Sequence, residues 1–485
     1  MPDGVLAIGN KRDVMKYFRF KMITCVWAAA VILAVKQPSA QNVTVSLSSE
    51  KQVVRGFGGM VHIPWAGDLS AAERTLAFGN GTGQLGLTVL RIAVPDGSTN
   101  TSSYVATAKA AIAAGGLVYA SPWNSGGDMS SSQFASYADH LNSFVTYMKS
   151  QDAELYAISV QNEPDYGDWR HWTANAIHDF IVDYGDKITT RLMTGESFQY
   201  RKTMYDQLLN DEKALANWDI LGAHTYGTQI RDFAYPLFDQ KGVPAGKERW
   251  MTEHYTNSNT DANQWPDALN VATDVHNTMV EGDFNVYTWW YIKRNYGPIN
   301  NGAITKRGWC MAHFAKFVRP GYVRVDATKS PSSGVYVSAY KGKDSLVIVA
   351  VNTSNSSITL KFTINGGSAT SLTRFTTSAS KSLDQEGAAT VSAGAFSGTL
   401  ESKSISTWAG QLTGTGIISV ESGDRTGQLS PSAENLSEYT LFDLNGRRVS
   451  GSRISAFTGS GSPANRGMYI LRNNRSGSIR YINVR

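Results

Sequence analysis

The chain has 485 residues, of which 42% are hydrophobic, 11% aromatic and 18% charged, with two cysteines and a formal net charge of +5. This length exceeds one ordinary hydrophobic core, so two or three domains are expected, and the composition agrees with a folded protein. Six basic and two acidic residues fall within residues 1–40, leaving +1 for the remainder, so the charge balance asks for neither nucleic acid nor an acidic membrane as partner.

The first element is a targeting segment. Lys11, Arg12, Lys16, Arg19 and Lys21 precede an apolar run from Met22 to Val35 and then Pro38-Ser39-Ala40, the order of a secretory signal peptide cleaved after Ala40, with Met15 as an alternative start. A membrane anchor is the competing reading, but the apolar run is short against the ~20 residues of a bilayer span. Cys25 would leave with this segment and lacks the context of a lipid-attachment site. Cys310 would then stand alone, so no intrachain disulfide is expected.

Residues 41–55 include Asn42-Val43-Thr44-Val45-Ser46-Leu47, which alternates as a strand and is expected to join a β-sandwich formed mainly by later residues. Eight apolar, β-branched or aromatic runs follow at Gly56–Gly59, Val89–Pro95, Leu117–Trp123, Tyr156–Glu163, Arg191–Phe198, Ile220–Tyr226, Arg249–Tyr255 and Asn285–Ile292. Most are separated by helical spacing, so residues 56–319 are predicted to form an α/β domain, a (β/α)8 TIM barrel. An open doubly wound sheet is the alternative. It lacks its glycine-rich phosphate loop, because Gly56-Phe57-Gly58-Gly59 is not followed by a helix and reads as glycines at a tight strand end.

Beyond Pro320 the pattern becomes short alternating strands, Val335–Tyr340, Ser345–Asn352, Ser357–Ile364 and Ser402–Trp408, and residues 320–410 are expected as an antiparallel β-sandwich. Residues 411–436 have the Gly/Ser/Thr composition of a linker. Residues 437–485 are expected as a small β-rich domain, with Tyr439–Leu444 meeting a hairpin signal at Asn445-Gly446 and a second pair at Tyr469–Arg472 and Ile479–Val484. From Gln411 onward the chain has nine arginines, no lysine and five acids, which fits either a solvated β-rich surface or a partner site.

The chemistry lies at two strand ends, Val160-Gln161-Asn162-Glu163-Pro164 and Trp250-Met251-Thr252-Glu253-His254. The fourth and seventh strands of a barrel face one another across its mouth, where barrel enzymes keep their reacting groups. Two facing carboxylates suit glycosidic hydrolysis, one protonating the leaving oxygen and the other attacking or activating water. Glu163 is expected as acid/base and Glu253 as nucleophile, with the charge of Glu253 raising the proton affinity of Glu163. Asn162 is placed to bind the sugar 2-hydroxyl. Arg91, Trp123 and Tyr226, in strands leading to the mouth, are candidate sugar contacts, with core packing as the competing explanation for the aromatics. His224 and His254 lack a third metal ligand at useful spacing and read as hydrogen-bonding partners, so neither a metal nor a cofactor is expected.

These motifs are similar to those of glycoside hydrolase family 30, and within it the bacterial glucuronoxylanases. The resemblance runs from about Val43 to Trp408 and rests on Gly56-Phe57-Gly58-Gly59, Val160–Tyr166, Trp250–Tyr255, Trp289–Pro298, Lys306-Arg307-Gly308 and Phe317–Gly321. It implies a barrel with an attached β-sandwich, retention of configuration and an endo-acting β-1,4-xylanase. It also implies that Arg294 binds the carboxylate of a (4-O-methyl)glucuronic acid branch, with Trp290, Tyr296, Tyr255 and Ser258 at supporting positions. A guanidinium suits that task because it can grip a carboxylate with two hydrogen bonds, and Lys293 beside it adds field only. Asn124-Ser125-Gly126-Gly127 departs from the proline pair found in many relatives after the third-strand tryptophan.

The tail resembles the C-terminal sorting domains by which some Gram-negative bacteria export proteins through the type IX secretion machinery, on Phe442–Val449, Gly467–Leu471 and Ile482-Asn483-Val484. A small carbohydrate-binding module is the alternative. The expected protein is a secreted or cell-surface monomer whose partner is the polysaccharide glucuronoxylan. Hydrolysis of another β-glycan or of unbranched xylan is the nearer rival, and a non-catalytic carbohydrate-binding protein the more distant one.

Overall fold

A computed structural model describes residues 40–97, 102–124, 127–256 and 261–413, together with the backbone of three strands, Tyr439–Asp443, Gly467–Asn473 and Ile479–Val484. The expected signal segment, the stretch beyond Thr413, Ser125-Gly126, Ser258 and the Asn445-Gly446 turn lie outside the described residues.

Eight parallel strands close in chain order into a barrel: Gly56–Val61, Val89–Val94, Leu117–Pro122, Ala157–Ser159, Arg191–Met193, Ile220–His224, Glu248–His254 and Val286–Tyr291. The first strand pairs with the eighth, Gly56 opposite Val286 and Gly59 opposite Trp289, which removes the open-sheet alternative. Strands covered on both faces need apolar residues at nearly every position, hence the continuous runs in the sequence. Val89, Tyr119, Ala157, Met193, Ile220, Trp250 and Val286 fill one layer inside the barrel. Their neighbours Leu90, Val118, Ile158 and Met251 belong to the larger core shared with the helices. Arg91, two residues after Val89, therefore stays on the inner face one layer nearer the mouth. Gly58 is required by the closeness of the first two strands, since a Cβ there would lie 1.8 Å from the Val89 carbonyl oxygen.

Beside the barrel lies a ten-stranded sheet that curls on itself. Phe362 and Phe396 stack at 4.5 Å, and both rest on Trp408 at 5.2 and 5.9 Å, closing its interior. Gln41–Val53 does join this sheet, antiparallel to Val323–Ala327. It also runs parallel to Ile358–Asn365, so the sheet is not wholly antiparallel as expected. The strands Ser371–Thr377, Asp384–Thr390 and Ala395–Leu400 were not foreseen, because sequences such as Asp384-Gln385-Glu386-Gly387 have poor β character and gain strand form only from their neighbours. The last strand, Ser404–Thr413, also takes in the first residues of the expected linker.

The two halves share one core. Val347, Val349 and Val351 pack with the barrel helices while the alternate residues Leu346, Ile348 and Ala350 line the sheet's own interior. Helix Lys306–Ala315, capped by Thr305, places the buried His313 between Thr407 (2.8 Å) and Thr377 (2.9 Å) of the sheet. Cys310, on the same helix, is buried and free, and burial pushes its thiol up to about 12. Among the described residues, no helix is long and apolar enough to cross a membrane.

In the tail, Tyr439–Asp443 pairs with Gly467–Asn473, which in turn pairs with Ile479–Val484. The second predicted pair is present, and the hairpin signal at Asn445-Gly446 lies outside the described residues.

Candidate active site

Both strand-end glutamates reach the barrel centre through irregular backbone. The fourth strand is only three residues long. Beyond it, Asn162 bridges to Glu196, and Glu163 turns at a φ of 44°, a left-handed conformation uncommon for a non-glycine residue. In the seventh strand Trp250 faces inward, so strict alternation would turn Glu253 outward toward the helices. The register instead shifts between Ala223/Met251 and His224/Glu253, and again toward the eighth strand. This bulge gives the strand one extra residue and re-aims Glu253 into the mouth.

One carboxylate oxygen of Glu163, one of Glu253 and a ring nitrogen of His224 all lie within 4.8 Å of one another. Arg91 is fully buried between the carboxylates. Its Nη1 donates to Glu253 at 2.5 Å, its Nη2 to Asn162 Oδ1 (2.7 Å) and to Glu196 (2.9 Å), and its Nε to Ser121 (3.0 Å). The expectation that Arg91 touches sugar is thereby corrected: four of its five N–H groups bond to protein and it has no exposed surface. Tyr226 donates its hydroxyl to the other oxygen of Glu253 at 2.9 Å, and Trp169 donates its indole N–H to Glu163 at 2.9 Å.

His224 Nδ1 meets Glu163 at 2.9 Å, while Nε2 lies 3.6 Å from Glu196 and 3.8 Å from Glu253. Burial disfavours the imidazolium, but Glu253, Glu163 and Glu196 outweigh it and raise the ring to about 9. Burial likewise opposes ionisation of Glu196, yet Arg91 and then His224 hold it down to about 2. At Glu253 burial and the charge of Glu163 raise the carboxyl against the pull of His224 and Arg91. Three carboxyl groups and a ring nitrogen could suggest a metal. Here the buried Arg91 guanidinium already supplies positive charge to the oxygens of Glu253 and Glu196.

Aromatic rings surround the pair. Trp123 is buried and covers the Arg91 guanidinium at 4.4 Å, and Trp290 lies 6.0 Å from Trp123. Trp65, on the loop after the first strand, is 40% exposed and lies 5.5 Å from Trp169 and 6.2 Å from both Trp123 and Trp290. On the other side Tyr226, Tyr255 and Tyr296 follow one another at 5.6 and 5.5 Å. Arg294 lies over the Tyr291 ring at 4.7 Å and donates Nη2 to the Trp65 carbonyl at 2.9 Å. Lys293 is bound to Glu73 at 2.9 Å, so it fastens the loop rather than serving the mouth. His254 turns away to Asp274 at 2.6 Å.

The structure thus brings Asn162, Glu163, Glu253, Arg91, Trp123 and Tyr226 together, with Arg294, Tyr255, Tyr296 and Trp290 alongside; Ser258 is outside the described residues. Sequence reasoning missed Glu196, Trp65 and Trp169. Glu196 had a signal, since it lies two residues before the end of the fifth predicted run, as Glu253 does in the seventh. The two tryptophans lie in loops where nothing local marks them.

No profile of a known protein family matches the chain. It is 50% identical over 409 residues to glucuronoxylanase XynC of Bacillus subtilis strain 168, covering 80% of this chain and 96% of that protein. Among solved structures, a GH30 endoxylanase from Clostridium papyrosolvens C71 superposes with a TM-score of 0.71 at 39% identity, over 76% of this chain and all of the other. The glycoside hydrolase family 30 subfamily 8 xylanase Xyn30A from Clostridium acetobutylicum gives a TM-score of 0.69 at 32% identity, over 76% of this chain and 99% of the other.

Proposed function

The chain belongs to the glucuronoxylanases of glycoside hydrolase family 30, and from that membership we propose an endo-acting β-1,4-xylanase of glucuronoxylan that retains anomeric configuration. The observation that supports the mechanism is that one carboxylate oxygen of Glu163 lies within 4.8 Å of one of Glu253. Retaining enzymes need about 5 Å between the groups, because one attacks the sugar directly, whereas inverting enzymes leave about 6.5–9.5 Å for a water.

Glu163 protonates the glycosidic oxygen as Glu253 attacks the anomeric carbon. The bond to the leaving chain breaks and a glycosyl ester forms on Glu253. That ester removes the charge of Glu253, and Glu163, now ionised, takes a proton from the water that releases the sugar. Arg91 and Tyr226 orient Glu253 through one oxygen each. Asn162 spends Oδ1 on Arg91 and has no protein acceptor for Nδ2, leaving that donor for the sugar 2-hydroxyl.

Arg294 serves the branch. Its Nη2 is held by the Trp65 carbonyl and it also bonds to the Tyr291 and Tyr296 side chains, which fix the guanidinium for a uronate carboxylate beside Tyr255 and Trp290, and the family resemblance adds Ser258. Arg294→Ala should slow glucuronoxylan cleavage at least about tenfold, the loss of a charge-assisted pair of hydrogen bonds, while unbranched xylan is cleaved at nearly the wild-type rate. Equal loss on both substrates would remove the branch assignment. Release of branched oligosaccharides with the branch at one fixed place from the cut, and β-configured product by NMR in the first seconds, tests substrate and stereochemistry together.

Export is the remaining part of the proposal. The basic and apolar order of residues 1–40 supports a signal peptide, and the tail motifs support a sorting domain. The deletion that tests the tail is made after Thr413, where the last sheet strand ends. Retained secretion with lost xylan binding would identify a binding module instead.

A further inference from the structure

The fifth barrel strand leads to a third glutamate that the reaction described above does not use. Glu196 is fully buried on the inner face. Its Oε2 accepts from Arg91 Nη2 at 2.9 Å and lies 3.6 Å from His224 Nε2. The same guanidinium donates to Glu253 at 2.5 Å, and the same imidazole meets Glu163 at 2.9 Å. The Glu196 side chain is therefore one residue removed from each member of the reacting pair, while its backbone carbonyl accepts the Glu163 N–H at 2.9 Å. A buried carboxylate is costly, and buried ionic networks are often no more stabilising than apolar packing, so fold stability alone is a weak reason for it.

We infer that Glu196 is a positioning residue: it holds Arg91 against Glu253 and keeps His224 a charged donor to Glu163. This rests on the roles given to Glu163 and Glu253. The groups facing Glu196 are Arg91 from the second strand, Tyr119 from the third, Glu163 beyond the fourth, His224 from the sixth and Glu253 from the seventh. Arg91 stays charged, and burial keeps the Tyr119 hydroxyl protonated. His224 is then the cation that depends on its neighbours. Its Nδ1 serves Glu163, and Nε2 lies nearer Glu196 than Glu253. As Glu163 passes its proton to the leaving oxygen, the imidazolium stabilises the carboxylate left behind. Without Glu196, Arg91 would turn its full charge on Glu253 and His224 would lose its proton at lower pH.

The test is kcat and KM of the full chain on glucuronoxylan from about pH 5 to pH 10 for wild type, Glu196→Gln and Glu196→Asp. Expected for Glu196→Gln are a KM within about twofold of wild type, kcat lowered about tenfold or more, and an alkaline limb moved down by about 1–3 pH units. Glu196→Asp should recover part of that limb. A uniform fall in kcat with the limb in place, or a change in KM alone, would overturn the inference, since a packing role gives the first and a substrate contact the second. If the variants do not fold, NMR titration of the wild-type His224 ring decides: protonation up to near pH 9 supports the inference, and a neutral ring at pH 7 overturns it. A wild type that releases no sugar would instead end the xylanase reading, while that titration still reports on Glu196.

Discussion

Glu163 and Glu253 are both glutamates on the same barrel face, and their surroundings differ in the way the proposed acid/base and nucleophile roles require. Glu253 receives a guanidinium and a phenol, while Glu163 receives an indole N–H and an imidazole. Glu253→Gln should lose about 10⁴-fold or more of kcat. Glu163→Gln should lose about 10²–10⁴-fold on glucuronoxylan but far less on a branched aryl glycoside, whose leaving group needs no proton. Equal losses on the two substrates would argue against the acid role. His224 also links the site to stability. Its ring is raised from 6.5 to about 9 in the fold, so the stabilisation is complete below pH 6.5 and is lost as pH rises to about 9. Melting temperatures across that range should fall in the wild type and fall less in His224→Asn. The carboxylate pair was legible because both glutamates lie at the ends of strand-forming runs, and Arg294 only through the family resemblance of Trp289–Pro298. Arg91 as an internal bridge was not, since its partners come from strands 30 to 162 residues away.

At the level of elements, two irregularities make the site. A regular fourth strand would not bring Glu163 to a φ of 44°, and a regular seventh strand would turn Glu253 from the mouth. Backbone strain of this kind clusters at functional sites and is held by surrounding structure. The opposite constraint acts in the first strand, where the tight approach to Val89 leaves no room for a side chain. Gly58→Ala should destabilise the protein by about 3 kcal/mol or more, read as a large drop in melting temperature. A variant with an unchanged melt would show that the strands can separate. The run of alternating residues predicts where strands lie, but neither the bulge nor the left-handed turn leaves a mark in that pattern, because both are settled by pairing with the sixth and eighth strands and with Glu196.

Across the molecule, barrel and sheet are one folding unit in energetic terms, since Val347, Val349, Val351 and Ile405 complete the core beneath the barrel helices. Truncation after Val318 would expose that face, and the shortened chain should be recovered aggregated rather than as a soluble xylanase. His313 sits in the same junction with both ring nitrogens bonded to threonines of the sheet, and burial lowers it to about 3. Its contribution is present above pH 6.5 and is lost as pH falls toward 3, the opposite sign from His224. The acid side of the stability curve should therefore be shallower in His313→Gln; an unchanged slope would place the acid sensitivity elsewhere.

What the sequence determined by itself was the barrel, the attached sheet and the presence of two strand-end carboxylates, because strand periodicity, glycine spacing and strand-end residues are local properties of the chain. Only the tertiary structure decided that Arg91 lies behind the sugar site rather than in it, that Glu196 joins the network, and that Trp65 and Trp169 line the mouth. Those assignments depend on which loops and inner faces meet when the barrel closes, and closure brings together residues whose separation in the chain carries no periodic signal.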